Sequence, residues 1–196
     1  MVASTAPSFN CDRTLSAGFS QEPDLAALTR GDILLETRAH TAWGAAVTAQ
    51  MYLPISRESG WQQLVDYPQW IRYFPDISNS YLLTDDFSKS ASVAKAECKR
   101  LYQTASKSFL FLSAQVEIYL RVVETFQQRI QFQLESGSFH DFLAELTLKD
   151  FAGGTLLTYV VQATPLIPIP SLLIQQAIQF DLPTNMKTMR QVLCHP

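Results

Sequence analysis

A long run of alternating apolar and polar residues is the feature that most restricts how this chain can fold. Beyond Ser78 the alternation holds for most of the chain up to Pro165. Successive side chains of a strand point to opposite faces, so this period predicts an antiparallel meander with one apolar face. Gly137 and the pair Gly153-Gly154 mark its hairpin turns. The clearest sets are Val116, Ile118, Leu120 and Val122, then Ile130, Phe132 and Leu134, then Phe142, Ala144, Leu146 and Leu148.

After three prolines, Pro165, Pro168 and Pro170, the period becomes helical. Apolar residues at steps of three or four predict one long amphipathic helix at the C-terminal end. Proline removes a backbone donor and clashes with the preceding turn, so Pro183 predicts a kink or a short break near residues 180–182. The apolar stripe consists of Ile174, Ile178, Leu182, Met186, Met189 and Leu193.

Two strands and two short helices are predicted upstream of the meander. Alternation in residues 32–39 and 45–53, with Gly44 between them, predicts a hairpin. Ser56 is placed to cap a short helix that contains Trp61. A second short helix is expected over residues 69–74.

The order of these elements predicts an α+β architecture. It comprises a strongly bent antiparallel sheet, two short helices after the first core strand, and a long C-terminal helix over the sheet. Such a sheet and helix enclose a space that side chains fill only partly, so an internal apolar cavity is expected. Residues 31–196 are predicted to form this single domain. Residues 1–30 lack a sustained period and are expected to be a flexible or irregular extension with at most a helical turn after Pro23.

Two segments carry a resemblance to a known family. They are MYLPISRESGWQQLVDYPQWIRYFPDISNS, residues 51–80, and GTLLTYVVQATPLIPIPSLLIQQAI, residues 154–178. They resemble the START-like, or polyketide cyclase/dehydrase (SRPBCC, helix-grip), superfamily, and most closely its coenzyme-Q-binding branch. The resemblance covers about residues 46–193. It implies the helix-grip fold and a lipophilic ligand, since many relatives are binding or transport proteins.

Charge and motifs argue against several other classes of function. The formal net charge is -3 and there is no basic run, so no nucleic-acid partner is expected. His140 and Asp141 are strand neighbours whose side chains point to opposite faces, and Cys98 has no histidine beside it. No catalytic residue, metal site or cofactor is predicted, because the cysteines and histidines share no ligand spacing: Cys11, Cys98 and Cys194, and His40, His140 and His195.

Cysteine usage and the N-terminal segment bear on location. Three widely spaced cysteines suggest no disulfide framework, which fits a reducing cytoplasm. The first twenty residues lack the apolar stretch of a secretory signal. They are rich in Ser and Thr and poor in acidic residues, which permits two interpretations: an organelle transit peptide or a loosely ordered tail. No run approaches the ~18 apolar residues that span a bilayer.

Aromatic and apolar residues are the candidates for the cavity or its mouth. Trp61, Trp70, Tyr73 and Phe74 either line the mouth or pin the two short helices onto the sheet. Tyr159 shares a strand face with Leu157 and Val161 and is expected to point inward, whereas Tyr119 and Arg121 are expected to point outward. The full predicted set is Trp61, Trp70, Tyr73, Phe74, Phe132, Phe142, Tyr159, Ile174 and Ile178.

The proline-rich connector before the last helix permits two interpretations. It is either a buried linker or an exposed lid that touches a membrane peripherally near the cavity mouth. Its apolar candidates are Leu166, Ile167, Ile169 and Leu172.

The leading functional hypothesis is a noncatalytic carrier of a quinone, isoprenoid, lipid or polycyclic aromatic molecule. One alternative is an aromatase/cyclase-type enzyme acting on a polyketide-like substrate, which a polar residue with a perturbed pKa inside the cavity would favour. Another is a regulatory or assembly partner with a vestigial cavity, which predicts a filled core. The sequence makes no prediction about oligomeric state.

Overall fold

The computed structural model describes residues 24–83, 98–109 and 112–195. Within them eight strands form one antiparallel sheet in the order β1-β2-β8-β7-β6-β5-β4-β3, with a long helix against one face. The α+β helix-grip prediction is confirmed. The strands are β1 (Leu34–Thr41), β2 (Gly44–Leu53), β3 (Ile77–Leu83), β4 (Cys98–Phe109), β5 (Leu112–Thr125), β6 (Arg129–Gly137), β7 (Phe139–Phe151) and β8 (Gly154–Pro165).

The short helices begin where local capping groups satisfy free backbone donors. In α2 (Arg57–Leu64) the hydroxyl of Ser56 accepts a hydrogen bond from the N–H of Ser59 at 3.2 Å, which is the predicted N-cap. The second predicted helix is divided between a 3₁₀ helix (Tyr67–Gln69) and α3 (Trp70–Tyr73). This helical insertion carries the chain from β2 to β3 at the far edge of the sheet.

Helix α1 (Leu25–Arg30) precedes the sheet, where the sequence predicts no more than a turn. The carboxylate of Asp24 accepts a hydrogen bond from the N–H of Ala27 at 3.0 Å. The side chain of Leu28 is fully buried. Capping and burial together stabilise a segment too short to show a helical period.

Helix α4 (Ser171–Cys194) runs through Pro183 without interruption. Of the kink or short break predicted near residues 180–182, the short break is therefore wrong, and the kink stays a prediction. Packing on both sides of the proline explains the difference. Met186, Met189 and Leu193 are completely buried beyond it, and Ile178 and Leu182 face the sheet before it. Within the described residues no helix is both long enough and apolar enough to cross a bilayer.

The apolar strand face forms the core together with the helical insertion and the second half of α4. The rings of Trp70 and Phe132 lie 5.0 Å apart in an edge-to-face arrangement. On the opposite sheet face the ring of Tyr119 lies 4.8 Å from that of Tyr102 in a tilted arrangement, and the guanidinium of Arg121 lies 3.8 Å from the carboxylate of Glu135. The predicted outward direction of Tyr119 and Arg121 is thus observed.

Candidate ligand cavity

An apolar cavity lies between the sheet and the first half of α4. Its volume is about 350 Å³. It sits at the end of the molecule where β2 and β7 begin and β8 ends. The lining residues are Ala45, Val47, Phe74, Phe139, Tyr159, Val161, Ala163, Pro165, Ile169, Ile174, Ala177, Ile178, Asp181, Leu182 and Asn185.

Short side chains on the facing surfaces leave this space open. Ala45 of β2 pairs with Ala163 of β8, and Val47 pairs with Val161 in the same two strands. Across the gap α4 presents Ala177. Closely packed interiors alternate large and small side chains across facing positions, whereas here small residues meet small residues. The cavity between the sheet and α4 therefore follows from these short side chains.

Tyr159 contributes a hydroxyl to the otherwise apolar floor of the cavity. Its ring lies 6.1 Å from that of Phe74. Burial raises the pKa of Tyr159 above its ordinary value of 10.0, so the phenol stays protonated at neutral pH. The residue is half-buried, and its hydroxyl has no hydrogen-bond partner within the described part of the chain. It can therefore donate to, or accept from, a bound molecule.

Two further polar side chains reach the cavity from α4. Asp181 and Asn185 are four residues apart, so they lie on the same helix face as Ile174 and Ile178. They form a polar border beside the apolar wall. The cavity thus offers extensive apolar contact and a few groups that can orient a ligand.

Four of the residues predicted for the cavity line it together: Phe74, Tyr159, Ile174 and Ile178. Ile169, predicted as a lid or membrane contact, lines it too. Phe142 packs against Phe139 at a ring distance of 5.5 Å but is not a lining residue. Phe132 is buried in the core.

Trp61, Trp70 and Tyr73 lie in the core and hold the helical insertion in place. The indole N–H of Trp70 donates to the carbonyl of Leu64 at 3.0 Å, and the hydroxyl of Tyr73 donates to the carbonyl of Gln63 at 3.0 Å. The ring of Trp61 meets that of Phe126 at 5.9 Å. In the structure these three residues have the packing role that the sequence offered as the alternative to lining the mouth.

The connector between β8 and α4 has one side on the cavity and one side in solvent. Pro165 and Ile169 line the cavity. Leu166, Ile167 and Leu172 are exposed. The segment is therefore a wall of the cavity rather than a buried linker.

Comparison with known proteins rests on structure. No protein-family model matches the chain, and no curated protein matches its sequence. A STAR-related lipid transfer protein from Xanthomonas axonopodis superimposes with a TM-score of 0.60 at 18% identity, over 82% of this chain and 93% of that one. A START superfamily protein from Mycobacterium smegmatis gives a TM-score of 0.59 at 14% identity, over 76% and 96%. The chain has the START-like fold.

The START-like fold is shared with proteins of a different kind. The di-domain ARO/CYC StfQ from the steffimycin biosynthetic pathway superimposes with a TM-score of 0.53 at 8% identity. The match covers 84% of this chain and 51% of that one, so the chain spans about half of StfQ. Likeness at these identities describes the fold and leaves the ligand to the residues of the site.

Several lining residues of the START-like cavity are not evident from the sequence. Ala45, Val47 and Ala163 are small residues in alternating strands, and nothing local separates them from ordinary core positions. Asp181 and Asn185 carry a recoverable signal, because their spacing places them on the stripe of Ile174 and Ile178. That signal identifies the polar border of the cavity once α4 is recognised as its cover.

Other ionisable groups lie away from the cavity lining. His40 and Asp141 form a pair at 2.9 Å, in place of the sequence neighbours His140 and Asp141. Glu124 accepts hydrogen bonds from Tyr67 at 2.5 Å and from Lys99 at 2.8 Å. Burial raises the pKa of Tyr67, so its phenol remains a donor. Among the described residues no cluster of His, Cys, Asp and Glu could hold a metal ion.

Proposed function

We propose that this chain binds and carries a lipophilic small molecule in the cavity beneath α4. The observation that supports this most strongly is an apolar cavity lined by the half-buried Tyr159, whose hydroxyl has no partner among the described residues. Apolar burial supplies roughly 25 cal/mol per Å² of affinity. A polar atom on the ligand then satisfies a group that is otherwise costly to bury.

The ligand class follows from these walls. The volume of about 350 Å³ lies within the range of sites that hold small organic molecules. A neutral ring or branched chain with one oxygen that accepts from Tyr159 fits best. Quinones, isoprenoids, acyl lipids and polycyclic aromatics all meet this description. The resemblance of residues 51–80 to the coenzyme-Q-binding branch supports a quinone among them.

An aromatase/cyclase-type enzyme is the second candidate. A tyrosine inside the cavity with a perturbed pKa favours it, and so does the shared fold with StfQ. The direction of the pKa shift argues against an enzyme, because a raised pKa keeps the Tyr159 phenol protonated at neutral pH. It can then donate a hydrogen bond but cannot act as a general base. Binding without reaction accounts for the group more simply. An assembly partner with a filled core is disfavoured by the apolar space of about 350 Å³ between the sheet and α4.

A change that fills the cavity tests the proposal. In Ala177→Phe the new ring would point from α4 into the space, whereas in the neighbouring variant Gln176→Phe it would point to solvent. We expect Ala177→Phe to weaken binding of the neutral fluorescent probe phenylnaphthylamine by about ten-fold or more, and Gln176→Phe to leave it unchanged. Fluorescence titration measures both. Equal binding of phenylnaphthylamine by Ala177→Phe and Gln176→Phe would exclude the cavity as the binding site.

A further inference from the structure

Large apolar side chains are exposed together at the end of the molecule that holds the cavity. Trp43 is 48% exposed, Leu166 49%, Ile167 56% and Leu172 65%. We call these four residues the apolar end. Phe180, 80% exposed, extends it along α4, because residues 172 and 180 lie two helical turns apart on one face. Clusters of this kind mark surfaces that bind another apolar surface.

Backbone hydrogen bonds hold the apolar end as one unit. The N–H of Ser171 donates to the carbonyl of Ala42, next to Trp43, at 3.1 Å. The N–H of Leu166 donates to the carbonyl of Ser138 at 3.0 Å. The connector also contains Pro165, Pro168 and Pro170, which restrict its backbone. Its exposed side chains are therefore displayed on a restrained frame.

The charge pattern identifies the kind of surface that fits. Residues 151–180 contain no Asp, Glu, Lys, Arg or His, although the chain has 33 charged residues, 15 basic and 18 acidic. An anionic surface is bound through clustered basic residues, which this segment lacks. A tryptophan ring beside leucine and isoleucine side chains suits the boundary between lipid head groups and hydrocarbon.

The apolar end is continuous with the cavity wall. Pro165, Ile169 and Ile174 face the cavity, while Leu166, Ile167 and Leu172 face outward from the same stretch of chain. A molecule that crosses this wall would meet apolar side chains on both sides. The exposed end and the cavity thus lie along one route.

We infer that the apolar end docks on the surface of an electrically neutral lipid bilayer, and that the ligand passes between the hydrocarbon and the cavity across the connector. This inference deepens the proposed function and rests on it. The side chains of Trp43, Ile167 and Leu172 would enter the interface. Phe180 would lie along it.

Flotation with phosphatidylcholine vesicles tests the inference on the full chain. Ile167→Asp and Leu172→Asp each place a charge where hydrocarbon is expected, and both positions are exposed, so the fold tolerates them. We expect each to lower the vesicle partition coefficient by about ten-fold or more. Phe126→Asp is the matched control, since Phe126 is 72% exposed but lies in the β5–β6 turn at the opposite end of the strands. It should partition like the unmodified chain.

Four results would overturn the inference. One is a vesicle partition coefficient that neither Ile167→Asp nor Leu172→Asp lowers. Another is a partition coefficient that Phe126→Asp lowers as much as these two substitutions do. The third is binding that needs phosphatidylserine and disappears with added salt. The fourth concerns binding of the apolar end to a second copy of the chain, which sedimentation without vesicles measures. A dimer that Ile167→Asp and Leu172→Asp dissociate would contradict docking on lipid.

Phenylnaphthylamine titration of the same variants in solution keeps the two proposals separate. Retained probe binding with lost vesicle binding is the expected pattern. If the unmodified chain does not bind phenylnaphthylamine, the cavity function is refuted, whether or not the chain binds vesicles.

Discussion

Tyr159 is half-buried in the lining of the apolar cavity, and its hydroxyl has no partner within the described residues. Tyr73 offers the contrast, because its hydroxyl donates to the carbonyl of Gln63 at 3.0 Å. A hydroxyl without a partner adds nothing to the stability of the empty protein, whereas a buried hydroxyl with a partner stabilises it. The two tyrosines therefore respond differently to loss of the hydroxyl.

Tyr159→Phe is expected to leave the unfolding free energy of the ligand-free chain unchanged or to raise it by up to about 1 kcal/mol. The same change should weaken binding of a short-chain benzoquinone by about ten-fold, because a carbonyl oxygen loses its donor. Urea unfolding and a binding titration measure the two effects.

Tyr73→Phe provides the control for this pair of measurements. It should lower the unfolding free energy by about 1 kcal/mol and leave benzoquinone binding intact. A destabilised Tyr159→Phe with unchanged affinity would mean that the Tyr159 hydroxyl serves the fold instead of a ligand.

Strand parity was sufficient to predict the direction of Tyr159, since Leu157 and Val161 on the same face are apolar. Trp61 and Trp70 lie on short helices, where strand parity does not apply. An aromatic residue on a short helix has the same local pattern whether it packs on the sheet or borders a cavity. Their packing depends on partners far along the chain, such as Phe126 and Phe132.

At the scale of elements, α4 shows how distant packing overrides a local signal. A proline inside a helix costs about 3 kcal/mol relative to alanine. The stripe from Ile174 to Leu193 nevertheless keeps both halves of the helix against the rest of the domain. The alternation that predicts the strands needs no such correction, because apolar side chains dominate the inner face of the sheet, and the buried polar residues Ser80 and Gln103 on that face are hydrogen-bonded to each other.

Pro183→Ala is expected to raise the unfolding free energy by about 1–3 kcal/mol, because alanine restores a backbone donor in mid-helix. A stiffer cover over the cavity should also slow the release of phenylnaphthylamine. Thermal unfolding and stopped-flow dissociation measure these effects, with the exposed neighbour Thr184→Ala as the control. A less stable Pro183→Ala would show that the helix depends on the geometry that proline imposes.

At the scale of the whole molecule, the cavity and the apolar end occupy the same end of one domain. The bent sheet and the long helix over it could be predicted from the order of the elements, and an internal cavity is what that order leads one to expect. Its lining could not, because the pairing of Ala45 with Ala163 joins positions remote in sequence. The exposed side of the connector likewise depends on how α4 closes over the sheet. Together these features fit the proposed carrier, whose cavity would open beside the surface from which it loads.

Native mass spectrometry with organic extraction, on the chain purified from its own host, tests the carrier function most directly. We expect one lipophilic molecule per chain, neutral, with an oxygen acceptor, and recovered chemically unchanged. Ala177→Phe purified in the same way should be empty, and Gln176→Phe should be loaded. An unmodified chain that is empty, and that takes up no lipophilic molecule when one is added, would contradict the account.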